Sequence, residues 1–96
     1  MAAFEKLDPL LHNQLRLAIV SLLVGVESAE FGYLLEHTAA TKGNLSAQIT
    51  KLKQAGYISV EKSFRGNYPL TTCKVEKKGV AAFEGYVKAI SGYLKK

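Results

Sequence analysis

The stretch that decides the fold reads TKGNLSAQITKLKQ and extends from Thr41 to Gln54. Leu45, Ile49 and Leu52 are four and three residues apart, so they form one apolar stripe along a helix. The opposite face has small, hydroxyl, amide and Lys side chains, and the stretch contains no acidic residue. Thr41 suits the N-cap, because its side-chain oxygen can accept a bond from a backbone N–H of the first turn. The pattern predicts a helix that lies against a polyanion; the alternative is an ordinary solvated helix face.

The net charge of +5 is concentrated around this stretch. Residues 41–78 contain eight basic residues against Glu61 and Glu76, which gives +6, and the rest of the chain sums to −1. A concentrated basic region is the electrostatic sign of nucleic-acid binding. With 48% hydrophobic and 22% charged residues the composition is that of a globular protein and excludes a disordered one.

The length and the lack of targeting signals limit the alternatives further. Ninety-six residues predict a single domain, 1–96, and dimerisation would add stability to so short a chain. The apolar run 17–26 is too short to span a membrane, and the N-terminal residues lack the pattern of a secretory signal. One cysteine, Cys73, suits a reducing compartment. We therefore expect a cytoplasmic protein without a membrane partner.

A long helix is predicted before the decisive stretch. Asp8 suits the N-cap and Pro9 the first helical position, and helical apolar spacing continues to about Val24. Arg16 within this helix could pair with a carboxylate or reach a phosphate, and the sequence does not choose between the two roles. Residues 27–30 form a polar break or a very short strand.

A second, shorter helix is predicted over about 32–37, followed by the three-residue turn 38–40. Either Ala39 or Ala40 then has to adopt positive φ, at a cost of about 1 kcal/mol, or the turn differs in detail from the usual one. A short helix, a tight turn and an amphipathic basic helix together are the helix-turn-helix arrangement.

Alternating residues after the decisive stretch predict a β-hairpin. Ile58 and Val60 point to one side of the first strand and Ser59 and Glu61 to the other, as in a half-buried strand. The Gly, Asn and Pro of residues 65–69 predict a loop. The second strand covers 70–76, and its cysteine is interpreted as a small core residue. The tip of this hairpin carries Arg65 and Asn67, with Lys62 on the approach to it.

The last element is a helix over about 77–94 with two apolar stripes. One stripe repeats at spacings of three and four residues, as in a heptad seam. One stripe can pack on its own domain and the other on a partner; alternatively, both form a single broad face against one core. The seam is Val80, Phe83, Val87, Ile90 and Leu94, and the neighbouring stripe is Ala82, Tyr86, Ala89 and Tyr93.

The order of helix, helix, basic helix, hairpin and long helix is that of a winged helix-turn-helix. It predicts an α+β, mostly helical fold with the helix-turn-helix at about 32–55. A wing of two or three antiparallel strands follows at about 57–76, and a long C-terminal dimerisation helix at about 77–95. The residues resemble small dimeric winged-helix transcriptional regulators of the MarR/ArsR type, most clearly in GNLS at 43–46 and KLKQAGYI at 51–58.

That resemblance implies a homodimeric transcription regulator that binds double-stranded DNA, with the basic helix in the major groove. Relatives often have a large basic residue where this chain has Ala47, so base reading would fall to Asn44 and Gln48. Their amides can pair with adenine, and Ala47 could contact a thymine methyl group. The implied DNA contacts are Lys42, Asn44, Ser46, Ala47, Gln48, Lys51, Lys62, Arg65 and Asn67, of which Lys42, Lys51 and Arg65 supply phosphate affinity. The implied dimer interface is Leu11, Leu15, Val80, Phe83, Val87, Ile90 and Leu94.

Other function classes have weaker support in the sequence. A winged helix can instead be a protein-interaction module whose basic face meets an acidic partner, but the basic helix has no outward acids or large apolar residues. The chain lacks the residue constellations of an enzyme. Metal-sensing relatives carry Cys, His or Asp clusters, whereas the terminal helix offers only Glu84, so we expect neither a metal nor a cofactor. A small-molecule effector could bind between the first and terminal helices, near Tyr86 and Tyr93.

Overall fold

Four helices and three strands make up residues 4–95, the part of the chain that the computed structural model describes. The strands form one antiparallel sheet in the order β1-β3-β2. This confirms the predicted α+β, mostly helical winged helix-turn-helix, with three strands in the wing sheet. The elements are α1 (Gln14–Val24), β1 (Ala29–Glu30), α2 (Phe31–Thr38), α3 (Lys42–Gln54), β2 (Ile58–Arg65), β3 (Tyr68–Val75) and α4 (Lys77–Leu94).

The predicted apolar stripe of α3 lies in the centre of the core. Leu45 and Leu52 are completely buried and Ile49 is nearly so. Removing a side chain of this size from water stabilises the fold by about 1.5–3 kcal/mol. The stripe therefore fixes which face of α3 remains outside. It belongs to one buried cluster that includes residues of every other helix and of the sheet, among them Ile19, Leu23, Leu34, Ile58, Cys73 and Tyr86. Burial raises the pKa of the Cys73 thiol, which is thus a neutral core group.

The predicted start of the first helix was wrong. Asp8 accepts a bond from the backbone N–H of Leu10 and begins only a single turn. Asn13 then adopts an extended backbone, with φ −152° and ψ 126°, and its side chain caps α1. The second carboxylate oxygen of Asp8 accepts a 2.5 Å hydrogen bond from the hydroxyl of Tyr57. Burial and this bond raise the pKa of Tyr57 to about 12, so the phenol stays a donor at neutral pH.

The turn between α2 and α3 has the predicted strain. Ala39 is left-handed, with φ 56° and ψ 24°. The Thr41 side chain caps α3 by accepting a 3.2 Å bond from the backbone N–H of Asn44. At the other end Gly56 takes φ +80°, and the N–H of Tyr57 bonds to the carbonyl of Leu52. Both ends of α3 are therefore held in a fixed place relative to α2 and the wing.

The hairpin loop is shorter than the predicted 65–69. The turn consists of Gly66 and Asn67, and Arg65 already pairs with Tyr68. Gly66 has φ +62°, a value that the favoured two-residue hairpin turns require. Pro69 lies within β3 opposite Phe64. The two-residue β1 does not extend to this position, so the missing N–H of Pro69 costs no hydrogen bond to a neighbouring strand.

The two stripes of α4 differ in burial. Tyr86 and Ala89 of the second stripe are buried, and the Tyr86 hydroxyl lies 3.0 Å from Nδ1 of His12. In the heptad-like seam Val87 is 44% exposed and Leu94 is 79% exposed. The second stripe thus supplies the most buried contacts of α4. The seam is divided, because Phe83 and Ile90 pack against the core whereas Val87 and Leu94 face outward.

Candidate nucleic-acid interface

The outward face of α3 is open and free of negative charge. Its first turn, anchored by Thr41, presents polar and basic side chains to solvent. The helix has no acidic residue over its 13 positions, and basic residues recur in its last turn. Within residues 4–95 the lysines of α3 form no ion pair, so this surface can approach phosphates without repulsion. The predicted contact residues Lys42, Asn44, Ser46, Ala47 and Lys51 all lie exposed on this helix.

Gln48 differs from the other predicted contact residues because it is half-buried and already bonded. Its Oε1 accepts a 2.6 Å bond from Nη1 of Arg16 on α1. Its Nε2 donates a 3.1 Å bond to Oδ1 of Asn44, one helical turn earlier. Arg16 is itself held by a 2.6 Å bond from its Nε to the carbonyl of Leu10. Gln48 is therefore not a free amide that turns to meet adenine, as the sequence suggested.

Sequence reasoning did not choose a role for Arg16 and did not select Lys53. Lys53 and Lys62 line a groove of about 190 Å³ between α3 and the wing. Ser46, Thr50 and Thr71 line the same groove, together with the apolar residues Phe31, Ile49 and Val60. Lysine amines and the hydroxyls of Ser and Thr are donor types that hold a phosphate oxygen, although the Thr50 hydroxyl already donates to the carbonyl of Ser46. The basic periodicity of α3 was visible in the sequence, but the groove requires the packed wing.

The wing divides its predicted contacts between two faces. In the strand register Lys62 pairs with Thr71 and shares a face with Val60 and Cys73, which point to the core and α3. Arg65 lies on the opposite face. Its Nη2 forms a 2.7 Å ion pair with the carboxylate of Glu30, and both side chains are substantially exposed.

Exposed aromatic residues flank the turn of the wing. Phe64 is 73% exposed and Tyr68 is 79% exposed, and Asn67 lies exposed between them. The turn therefore presents both hydrogen-bonding and apolar groups at the end of the hairpin.

The residues predicted for the dimer interface lie in two different environments. Leu11 is completely buried in the core of the single chain and has no surface to offer a partner. Leu15 is half-buried on α1 and packs against the core. On α4 the seam is partly or largely open, with Val80, Phe83 and Ile90 half-buried and Val87 and Leu94 exposed. We therefore remove Leu11 from the expected interface and keep the α4 seam.

A cleft of about 510 Å³ lies between residues 5–9 and α4. Tyr86 lines it together with Lys6 and Asp8. Tyr93 is not among the lining residues; its hydroxyl donates a 3.2 Å bond to the carbonyl of Glu5. Within residues 4–95 no group of three His, Cys, Asp or Glu side chains is placed to hold a metal ion. Of the helices in the same range, none combines the length and apolar character that crossing a membrane requires.

Comparisons with known proteins agree with this architecture. A family model described as a winged helix DNA-binding domain matches residues 15–94. The chain is 35% identical over 79 residues to an uncharacterized protein of Methanocaldococcus jannaschii, covering 82% of this chain and 86% of the relative.

Two solved structures share the fold at low sequence identity. A transcriptional regulator homologue from Pyrococcus horikoshii superposes with a TM-score of 0.81 at 22% identity, covering 88% of this chain and 84% of that one. A protein of Salmonella typhimurium, described as a candidate transcriptional regulator, gives 0.75 at 13% identity, covering 90% and 75%. The family match spans α1 to α4 and includes the helix-turn-helix, the groove and the wing. The chain therefore belongs to the family of winged helix DNA-binding domains, and it has the winged helix-turn-helix fold.

Proposed function

We propose that residues 1–96 form one domain of a homodimeric transcription regulator that acts in the cytoplasm and binds double-stranded DNA with sequence preference. The exposed, acid-free face of α3 is the observation that carries this proposal. The major groove is about 12 Å wide and admits an α-helix. We infer that α3 enters this groove and that the wing contacts the flanking backbone or minor groove.

The charges support a division of labour among the contacts. Lys42 and Lys51 are exposed on α3, where they can reach phosphates beside the groove. Lys53 and Lys62 both line the groove between α3 and the wing, which suits a phosphate from one strand. Arg65, on the other face of the wing, can bind a separate phosphate because an exposed ion pair such as that with Glu30 is worth only about 0–1 kcal/mol. A phosphate can therefore replace the Glu30 carboxylate at little cost.

The open seam of α4 supports the homodimer. At 1.5 Å per residue, its 18 residues make a helix about 27 Å long. Val87 and Leu94 are exposed seven residues apart on one side of this helix, and with the half-buried Phe83 and Ile90 they offer an apolar surface to a partner. A second copy related by two-fold symmetry would cover them and place two α3 helices for half-sites about 10 base pairs apart.

Removing the charge of Lys53 tests the groove as a phosphate site. In Lys53→Gln we expect binding to weaken to a similar extent for all DNA sequences. The slope of log affinity against log salt should fall by about 0.9 for each protomer, because one phosphate contact is lost. Fluorescence anisotropy with a labelled duplex at several salt concentrations measures both quantities.

Lys88→Gln is the matched control, because it removes the same charge from an exposed position on the face of α4 that lies away from both apolar stripes. Its salt slope should equal that of the wild type. If Lys53→Gln and Lys88→Gln changed the slope equally, the effect would be one of net charge, and the phosphate site would be refuted.

A further inference from the structure

The contact between α1 and α3 runs through three side chains in series. Arg16 is anchored on the carbonyl of Leu10 and donates to Gln48, and Gln48 donates to Asn44. Arg16 and Gln48 are half-buried, whereas Asn44 is exposed in the first turn of α3. The chain of bonds therefore leads from the interior to a position where a recognition helix usually contacts base edges.

The chemistry of the first member sets the direction of the whole series. A guanidinium group has only donors, so the Gln48 atom facing Arg16 has to be the oxygen Oε1. The Gln48 amide nitrogen then points to Asn44, and the Asn44 atom that receives it has to be the oxygen Oδ1. Both N–H groups of the Asn44 side chain are left without a partner within the series and face away from Gln48.

We propose that Arg16 is a positioning residue for base reading, because it orients the Asn44 side chain with its N–H groups toward the DNA. This inference rests on the proposed binding of double-stranded DNA by α3. Arg16 touches neither base nor phosphate in this role; it acts through Gln48. The earlier expectation of paired amide contacts to adenine is replaced by a donor-only contact from Asn44.

A donor at this position has a defined base preference. In the major groove guanine offers the acceptors O6 and N7, adenine offers N7 and thymine offers O4, whereas cytosine offers only its N4 donor. The wild type should therefore reject cytosine at the base that Asn44 faces. Discrimination of roughly fivefold is expected, the ratio that one hydrogen bond of ordinary net strength gives.

The test is selection of bound sequences from random duplex DNA with the wild type, Arg16→Ala and Gln48→Glu. In Arg16→Ala the side-chain amides of Gln48 and Asn44 can rotate so that oxygen and nitrogen exchange places. The roughly fivefold discrimination against cytosine should therefore be lost at one base pair of each half-site. Preferences elsewhere and the salt slope should not change. A uniform loss of affinity with a lower salt slope would instead make Arg16 a phosphate contact and overturn the proposal.

Gln48→Glu gives a sharper result because it reverses the direction of the series. The carboxylate still accepts from Arg16 but cannot donate to Asn44, so Asn44 has to donate to it and turn Oδ1 outward. Preference at that base should change to cytosine or adenine, whose N4 and N6 groups are donors. The same preference in Gln48→Glu and the wild type would refute the positioning role.

Side-chain amide resonances of the free protein separate this inference from the proposed function. In Arg16→Ala the Asn44 amide resonances should shift although Arg16 does not contact Asn44, and circular dichroism should show a folded protein. Unchanged Asn44 resonances would show that Arg16, Gln48 and Asn44 are not connected by hydrogen bonds in the free protein. If the wild type enriched no sequence, both the proposed DNA reading by α3 and the role of Arg16 in it would fail. If all three proteins enriched the same sequences, only the role of Arg16 would be overturned.

Discussion

Gly79→Ala is expected to lower the free energy of unfolding by about 2–3 kcal/mol, because α4 begins in direct contact with the chain that leaves α3. A Cβ atom on Gly79 would lie 2.2 Å from the carbonyl oxygen of Tyr57 and 2.9 Å from Cγ2 of Val75. The same carbonyl accepts a 2.9 Å bond from the N–H of Glu76. Neither backbone segment can move away without loss of this bond or of core packing. Thermal unfolding should shift down by roughly 10–20 °C.

Gly85→Ala in the same helix is the matched control. A Cβ at Gly85 would meet no atom within 4 Å. Because Ala is favoured over Gly in a helix, this variant should gain up to about 1 kcal/mol and unfold at a higher temperature. Opposite shifts for the two substitutions would support the close approach at Gly79, and equal shifts would contradict it. This approach matters for function because it fixes the direction of α4, the proposed dimerisation helix, relative to α3.

Val87→Glu is expected to abolish the proposed homodimer and, with it, most of the DNA affinity. Val87 lies near the middle of the exposed seam, and two-fold symmetry would bring two carboxylates into an apolar contact. In a dimer, binding of one protomer holds the second protomer close to the other half-site. A monomer lacks this effect, so affinity for a duplex with two half-sites should fall by roughly 10²–10⁴-fold. Sedimentation equilibrium and anisotropy on the same sample measure the two effects together.

Ala81→Glu is the control for this substitution, because Ala81 is exposed on the same helix away from the seam. It adds the same charge outside the seam, so it should remain dimeric and lose far less affinity. A dimeric Val87→Glu protein would refute the proposed interface, and a monomeric protein that kept full affinity would refute the need for a dimer.

The features that depend on local sequence could be predicted. The stripe of Leu45, Ile49 and Leu52 indicated which face of α3 is buried, and the three-residue turn predicted a left-handed alanine, found at Ala39. Spacing, capping and turn chemistry act over a few residues, and no distant part of this chain overrides them here.

The start of α1 and the buried stripe of α4 could not be predicted, because in each case two alternatives are locally equivalent and a contact distant in sequence decides between them. Asp8 and Asn13 are both good N-caps, and the bond from Tyr57, 49 residues away, holds Asp8 in a separate turn. The two stripes of α4 are similarly apolar, so the pattern alone does not decide which of them packs inward.

Contacts across the fold account for the corrections to the site. Arg16 and Gln48 are 32 residues apart, and Arg65 and Glu30 are 35 apart. The resemblance to MarR/ArsR-type regulators implied that Gln48 and Arg65 face DNA. Only the packing of α1 against α3, and of β1 against the wing sheet, shows that each already has a partner. The same packing creates the groove that brings Lys53 into the site.

The salt dependence of DNA binding tests the central claim most directly. The claim is that the acid-free face of α3 and the adjoining lysines bind duplex DNA through many phosphate contacts. The measurement is the affinity of the wild type for a duplex obtained by selection, between 50 and 200 mM salt. With six to ten contacts per dimer, affinity should fall by roughly 10³–10⁵-fold over this range. An affinity that stayed flat, or a protein that retained no duplex at 50 mM, would contradict the account.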